Sequence, residues 1–208
     1  MTPAPPRRPL DAAQALALVV ARSARSAILV EGWSDAAAVE TWALRCGIDP
    51  AANGIVLLPT GGITNFGIFA ARLRGARPGL RLSGLYDASE ERLALRGLRQ
   101  GLLELDPTRT AAEQAGFFAC VTDLEDELIR AVGTGEVERL LQAQDDHASF
   151  VRFRKQPAQR GRDLHPLLKR FLGTRAGRKE RYGALLVSAL APDRVPAPLR
   201  QVLEHALA

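Results

Sequence analysis

The chain has 208 residues, of which 47% are hydrophobic and 25% charged, an ordinary composition for a soluble globular protein of one domain or of one domain with an appendage. No stretch approaches the roughly 20 apolar residues that a membrane-spanning helix needs, so we expect no membrane partner. The net charge is +5, yet residues 1–150 carry 15 Lys and Arg against 19 Asp and Glu, whereas residues 151–208 carry 13 against 4.

The first residues predict a short disordered arm rather than a signal peptide, because residues 1–9 contain four prolines and no apolar segment. The two cysteines, Cys46 and Cys120, lie in apolar sequence and form no CxxC pair. Zinc sites and disulfide frameworks are therefore not expected, and a reducing, cytoplasmic location fits best.

Short apolar segments and amphipathic segments alternate along the first part of the chain. Strands are predicted at 26–30, 54–59, 80–86 and 116–121. Helices are predicted at 12–25, 34–45, 64–74 and 91–103, and after the fourth strand only helices are predicted, with breaks near 133–135, 145–147, 160–163, 173–177 and 191–198. This alternation predicts an α/β fold with a parallel sheet of about four strands, covered by helices on both faces.

Acidic residues follow three of the four predicted strands. Glu31 comes directly after Ile-Leu-Val, Asp87 follows the third strand, and Asp123 and Glu125 follow the fourth. Ligands bind beyond the carboxyl ends of parallel strands, so we expect these side chains to meet at one edge of the sheet. Glu31 is the strongest candidate, because a carboxylate at the tip of a buried strand costs several kcal/mol to desolvate and has few structural uses.

Converging carboxylates repel each other, and a divalent cation relieves that repulsion. Oxygen ligands without His or Cys nearby favour Mg²⁺ or Mn²⁺ over zinc. Such an ion polarises a phosphoryl oxygen or supplies a nucleophilic water, and a nearby lysine or arginine offsets the charge of the transition state. The sequence therefore predicts a phosphate-handling metal site.

Each of these motifs also has a plain structural interpretation. Asp35 alone is compatible with an acid that favours the helix dipole, Asp87 with a helix N-cap, and Glu125 with a solvated first turn. The pair Gly61-Gly62 is either a simple turn or a loop that lets the backbone approach phosphate.

The basic C-terminal part is either a solvated helical face or a surface that contacts phosphates, and we favour the second because the acids concentrate in the part before it. Aromatic residues are few there, which favours contact with a nucleic-acid backbone over base stacking. The candidate contacts are Arg152, Arg154, Lys155, Arg160, Arg162, Lys169, Arg178 and Arg181.

Two motifs resemble the Toprim domain of topoisomerases, primases, maturation ribonucleases and OLD-family nucleases. They are Val30-Glu31-Gly32-x-x-Asp35 and the strand end Tyr86-Asp87-Ala88-Ser89-Glu90, and the resemblance covers residues 26 to about 132. The later sequence is most similar to the OLD (overcoming lysogenization defect) branch, in which an acidic segment such as 123–128 precedes a basic helical tail with a lysine, as in 177–182.

The resemblance implies a Toprim-like Rossmannoid sheet and an endonuclease that cleaves DNA with one or two Mg²⁺ or Mn²⁺ ions. It implies three segments: an arm and helix (1–25), a Toprim catalytic domain (26–132) and a helical basic extension that completes the site (133–208). The implied metal ligands are Glu31, Asp35, Asp87, Ser89, Asp123 and Glu125, and the implied catalytic residues are Glu31 and Lys179.

The chain departs from the family pattern at two points. Ser89 stands where the second acid of Asp-x-Asp is expected, and serine is a weak metal ligand. Glu90 substitutes for that acid only if the turn brings its carboxylate to the metal site. OLD nucleases carry an ATPase, whereas these 208 residues contain no Gly-x-x-x-x-Gly-Lys-Ser/Thr motif. The ATPase is then a separate partner protein, or the chain acts as a stand-alone nuclease, or catalysis has been lost.

Three functions remain as hypotheses. The first is a metal-dependent nuclease that acts on DNA, the second a non-catalytic module that binds nucleic acid or a partner, and the third a small ribonuclease that acts on structured RNA. Only Lys155, Lys169 and Lys179 are lysines, against 25 arginines, and composition alone does not choose among them.

Overall fold

The computed structural model describes residues 8–102, 106–175 and 177–208. Most of the predicted N-terminal arm and Leu103, the predicted end of the fourth helix, lie outside these ranges. Among the described residues, no helix is long and apolar enough to cross a membrane. The strands in these ranges are β1 (Ser26–Val30), β2 (Ile55–Pro59), β3 (Arg81–Asp87) and β4 (Phe117–Cys120).

These strands form one parallel sheet in the order β2-β1-β3-β4. Leu29 of β1 lies opposite Leu58 of β2 on one side and Gly84 of β3 on the other. The predicted α/β fold with a four-stranded parallel sheet is thus confirmed, and the strand bounds agree with the predicted ones to within the usual uncertainty of strand ends. Because all strands are parallel, their carboxyl ends lie at one edge, with β1 and β3 at its centre.

Helices cover both faces of the sheet. In the described part of the chain they are α1 (Ala12–Ala21), α2 (Trp33–Arg45), α3 (Phe66–Ala76), α4 (Glu91–Leu102), α5 (Arg109–Gln114), α6 (Leu124–Val132), α7 (Thr134–Ala143), α8 (His147–Arg154), α9 (Leu164–Leu172), α10 (Arg178–Ala189) and α11 (Ala197–Leu207). Helix α5 was not predicted. It has only six residues, capped by Thr108, which accepts from the Ala111 amide at 3.2 Å, and so few residues give no clear periodicity.

Alternation along the strands divides the core into two layers. Ile28 and Val30 point to one face of the sheet and Ala27 and Leu29 to the other, and all four are fully buried. Helices α1, α3, α4 and α5 cover the second face, and α2 with α6–α11 covers the first. Each buried Leu or Ile side chain contributes about 1.5–3 kcal/mol, so both layers stabilise the sheet.

The C-terminal helices belong to the same hydrophobic core as the first face of the sheet. Helix α10 packs closely on α2, because Gly183 lets the backbones approach: a Cβ atom at Gly183 would lie 2.6 Å from the Ser34 carbonyl oxygen. This approach brings the N-terminal end of α10 to the carboxyl edge of the sheet, next to the start of α2.

Candidate metal centre

The polar strand ends line a cavity of about 440 Å³ at the carboxyl edge of the sheet. Its lining residues are Glu31, Gly32, Trp33, Ser34, Asp35, Gly61, Gly62, Asp87, Asp123, Glu125, Gly177, Lys179 and Glu180. A larger cavity of about 720 Å³ lies at the opposite edge, but none of the described residues that line it is acidic. The chemistry predicted from the carboxylates therefore belongs to the smaller cavity.

Three carboxylates form a compact group at the tips of the two central strands. One oxygen each of Glu31, Asp87 and Glu90 lies within 4.8 Å of the others. Asp87 occupies the N-cap position of the short 3₁₀ helix that follows β3, yet its side chain makes no capping hydrogen bond there. The Asp87 carboxylate is therefore directed to the group rather than used as a helix cap.

Ser89 is exposed and lies outside the group of three carboxylates, so its expected role as a metal ligand stays a prediction. The 3₁₀ helix Ala88–Glu90 explains this placement. Side chains three residues apart lie on the same side of such a helix, so Glu90, not Ser89, comes beside Asp87. Glu90 is the acid that the sequence suggested only as a conditional substitute.

A second group lies where α2, α6 and α10 meet. Lys179 Nζ lies 3.6 Å from Glu125 Oε2. Asp35 Oδ2 accepts a hydrogen bond from the Gly32 amide at 3.0 Å, so Asp35 closes the first turn of α2 as well as lining the cavity. The structural interpretation of Asp35, as an acid of the first helical turn, therefore applies, and its role as a metal ligand stays a prediction.

Asp123 is held by the protein on both oxygens. Oδ1 accepts from the Asp126 amide at 2.8 Å, which caps α6, and Oδ2 lies 2.6 Å from Lys169 Nζ. Glu125, in contrast, keeps a buried oxygen, Oε1, that has no hydrogen-bond partner in the part of the chain that the structure describes. Of the two acids after β4, Glu125 is the more available ligand.

Burial and mutual repulsion raise the pKa values of these acids. Burial, reinforced by Asp87 and Glu90, raises the pKa of Glu31 to about 8. Burial, reinforced by Asp123 and Asp35, raises the pKa of Asp87 to about 7. Burial also raises the pKa of Glu125 to about 7, although the ammonium of Lys179 opposes the shift. The cluster therefore holds protons, or a cation, near neutral pH.

The donor set fits a hard divalent cation. Glu31 Oε1 and Glu125 Oε1 are buried and have no hydrogen-bond partner among the described residues, an arrangement that is costly unless a proton or a cation binds. The lining carboxylates offer oxygen atoms, and the described lining residues include no His or Cys. Mg²⁺ and Mn²⁺ prefer such oxygen ligands, so these residues suit either ion.

The three lysines differ in their surroundings. Lys179 lines the cavity although its side chain is 47% exposed, Lys169 contacts Asp123, and Lys155 is exposed at the C-terminal end of α8. Burial alone would lower the pKa of Lys179, but Glu125 and the neighbouring acids raise it above its usual value. Lys179 is thus the lysine whose ammonium stands beside the acids of the cavity.

The loop after β2 borders the cavity with unusual backbone angles. Gly61 and Gly62 have φ values of +78° and +126°, which favour glycine. The Gly61 amide donates to the Glu31 carbonyl oxygen at 3.0 Å, and a Cβ atom on Gly62 would meet nothing within 4 Å. The loop is a tight turn that leaves open space at Gly62.

Most predicted nucleic-acid contacts lie on the surface. The exposed ones are Arg152, Arg154, Lys155, Arg160, Arg162 and Arg181. Arg181 also pairs with Asp146, and Lys169 is partly buried against Asp123. Arg178 is different: its side chain is only 3% exposed and pairs with Asp146, which contradicts the prediction that Arg178 contacts nucleic acid.

The chain is similar to known proteins both in part of its sequence and in its fold. Residues 24–80 match the family model for "Overcoming lysogenization defect protein-like, TOPRIM domain". A search of curated protein sequences gives no match.

Solved structures of the C-terminal regions of OLD proteins are similar to most of this chain. The C-terminal region of the Xanthomonas campestris pv. campestris OLD protein superposes with a TM-score of 0.66 at 25% identity, covering 88% of this chain and 94% of that one. The C-terminal region of the Burkholderia pseudomallei OLD protein superposes with a TM-score of 0.68 at 20% identity, covering 88% and 97%. Residues 24–80 thus match the OLD-like Toprim family model, and the fold of most of the chain is similar to that of the C-terminal regions of OLD proteins.

Proposed function

We propose that the protein is a metal-dependent nuclease that cleaves phosphodiester bonds in DNA. The observation that carries this proposal is the pair of buried, unpartnered carboxylate oxygens, Glu31 Oε1 and Glu125 Oε1, at the carboxyl edge of a Toprim-type sheet. A structural protein gains nothing from such acids, whereas a Mg²⁺ or Mn²⁺ centre uses them as ligands.

Two sets of residues would hold cations. Glu31, Asp87 and Glu90 form one set, and Glu125 with Asp35 forms the other. When bound, such an ion polarises a phosphoryl oxygen and lowers the pKa of a bound water. Asp123 fixes the first turn of α6 and thereby orients Glu125.

Lys179 would offset the negative charge that develops on the phosphate in the transition state. Its ammonium already stands beside Glu125, 3.6 Å from Oε2, at the entrance to the cavity. The open backbone at Gly62 would let a phosphate approach the carboxylates closely. The exposed arginines of α8 and of the following loop would bind the DNA backbone without reading sequence.

A plasmid-nicking assay with Mg²⁺ or Mn²⁺ tests the proposal. We expect nicking by the wild-type protein, and at least a ~100-fold loss in Glu31→Gln and Asp87→Asn, because the ligands of the catalytic ion are removed. Glu40→Gln is the matched control, since Glu40 is an exposed acid on the same helix as Asp35. Cleavage that survives both ligand substitutions would refute the site assignment.

Two other outcomes would support different functions. Salt-sensitive DNA binding that ignores metal and gives no turnover would identify a non-catalytic binding module, which a missing second acid at Ser89 would favour. Preferential cleavage of structured RNA would identify a ribonuclease. Glu90 supplies the acid that Ser89 lacks, and this favours the catalytic proposal over the binding module.

A further inference from the structure

A buried acid outside the cavity gathers three donors from α10. Asp146, directly before α8, is 7% exposed. Its Oδ1 accepts from Arg178 Nη2 at 3.0 Å, and its Oδ2 accepts from Tyr182 OH at 3.1 Å and from Arg181 Nη2. All three donors lie in the first two turns of α10, so a single carboxylate fastens the start of that helix.

Arg178 extends the network to α9. Its guanidinium lies 4.0 Å from the centre of the Phe171 ring and donates to the Phe171 carbonyl oxygen at 3.1 Å and to Thr174 Oγ1 at 2.7 Å. The charge of Arg178 is thus fully partnered although the side chain is buried. Buried, fully bonded ion pairs fix geometry more than they add stability, because desolvation offsets most of their attraction.

Lys179 follows Arg178 directly but points elsewhere. Successive residues of an α-helix are rotated by about 100°, so Arg178, Arg181 and Tyr182 share one side, and Lys179 shares another with Gly183. On that side Gly183 contacts α2 and Lys179 reaches Glu125. The N-cap, Gly177, has no side chain that could cap the helix, and the Asp146 network fastens this turn through three side chains.

We propose that Asp146 is a positioning residue, which holds the first turn of α10 so that the ammonium of Lys179 stays beside Glu125. The proposal rests on the proposed function for its catalytic consequence. Asp146 itself is not among the residues that line the cavity, so it acts only through α10.

Acylation of lysines tests the positioning without any activity. Lys155, Lys169 and Lys179 are the only lysines, so mass spectrometry of acylated peptides reports each one. In Asp146→Asn we expect Lys179 to be acylated about fivefold faster than in the wild type, because its ammonium leaves Glu125, whereas exposed Lys155 keeps its rate. An unchanged Lys179 rate in folded Asp146→Asn would overturn the proposal.

A second pair of variants keeps the test valid if Asp146→Asn fails to fold. Tyr182→Phe removes one hydrogen bond to Asp146 and keeps the ring, and should accelerate Lys179 acylation in the same direction by a smaller factor. Ser26→Ala is the matched control: it removes a buried hydrogen bond to the Ala206 carbonyl oxygen (2.6 Å) at the opposite edge of the sheet, and should leave the Lys179 rate unchanged. Equal effects of the two variants would indicate a general loss of stability and overturn the proposal.

A double-mutant cycle then tests the catalytic consequence. Asp146→Asn should lower kcat about 10–100-fold with KM little changed, and should lower it less than about twofold in a Lys179→Ala background. Equal losses in both backgrounds would show that Asp146 acts by stability alone. If the wild-type protein cleaves nothing, the proposed function fails, while the acylation result still decides the positioning.

Discussion

The carboxyl groups of Glu31 and Glu90 approach each other at the tip of the central strands, with one oxygen of each within 4.8 Å of the other, although both are acids. Two carboxylates this close repel each other unless one of them keeps a proton, and a divalent cation between them would replace that proton. Protons and metal therefore compete for the same oxygen atoms.

Metal-free protein should lose stability as the pH rises. Glu31 holds its proton to about pH 8 in the folded state, whereas in the unfolded chain it ionises near 4.5. Between these values the folded state binds more protons, so the free energy of unfolding falls with rising pH; Asp87 and Glu125 act in the same direction up to about pH 7. Thermal unfolding of chelator-treated protein from pH 4.5 to 8.5 measures this fall. A flat profile, or one in which Glu31→Gln retains the full slope, would contradict it.

Divalent metal should raise the Tm, and more strongly at higher pH, because binding displaces the protons. At about 100 times Kd the gain is about 2.7 kcal/mol, which corresponds to several degrees for a chain of this size. Glu90→Gln should weaken Mn²⁺ binding at least about tenfold, since it removes a charged ligand. The neighbouring Ser89→Ala is the control, and calorimetric titration should show no change. Weaker Mn²⁺ binding by Ser89→Ala, with binding by Glu90→Gln unchanged, would indicate that Ser89 is the ligand.

Lys179→Ala should lower kcat about 10²–10³-fold with a smaller effect on KM, because the ammonium acts on charge that develops in the transition state. Lys155→Ala carries the same change to an exposed lysine far from the acids and should stay within about twofold. Steady-state cleavage of a fluorescent duplex compares them. Similar losses in both variants would indicate that lysine contributes only general attraction for DNA.

DNA binding should depend on salt through the exposed arginines. Arg154→Ala should weaken binding to all DNA sequences alike and reduce the slope of log K against log salt by about 1, because one phosphate contact is lost. Fluorescence anisotropy at several salt concentrations measures the slope. Glu138→Gln, on α7, leaves all the cations in place and should keep the slope. An unchanged slope in Arg154→Ala would show that Arg154 does not contact a DNA phosphate.

Gly183→Ala should both destabilise the protein and reduce cleavage. The new methyl group would meet the Ser34 carbonyl oxygen at 2.6 Å, so α10 must move away from α2 and take Lys179 with it. We expect a loss of about 1–3 kcal/mol in the free energy of unfolding. Gly75→Ala is the control. Gly75 lies in α3, and a Cβ atom there would meet nothing within 4 Å, so this substitution should leave the stability unchanged or raise it. Denaturant unfolding of both variants measures the change in the free energy of unfolding, and equal values for the two would contradict the prediction.

The sheet and its acidic edge were predictable because both depend on local patterns. Four apolar segments separated by helical ones predict parallel strands, and parallel strands bring their ends together whatever the details of packing. Glu31, Asp87 and Glu125 could therefore be placed in one cavity from sequence alone.

The remaining features depend on geometry that a sequence pattern does not carry. Glu90 joins Glu31 only because residues 88–90 form a 3₁₀ turn, which brings Glu90 round to the side of Asp87. Arg178 looked like a surface cation, but its burial depends on Asp146, which lies far away in the chain. Charge composition cannot distinguish an exposed arginine from a buried one.

Anomalous diffraction from a crystal soaked in Mn²⁺ would show whether the acids at the carboxyl edge bind a divalent cation. We expect an anomalous peak coordinated by Glu31, Asp87 and Glu90, and a second near Glu125 if two ions bind. No peak in the cavity at saturating Mn²⁺, with Lys179 and the acids unchanged, would refute the metal site.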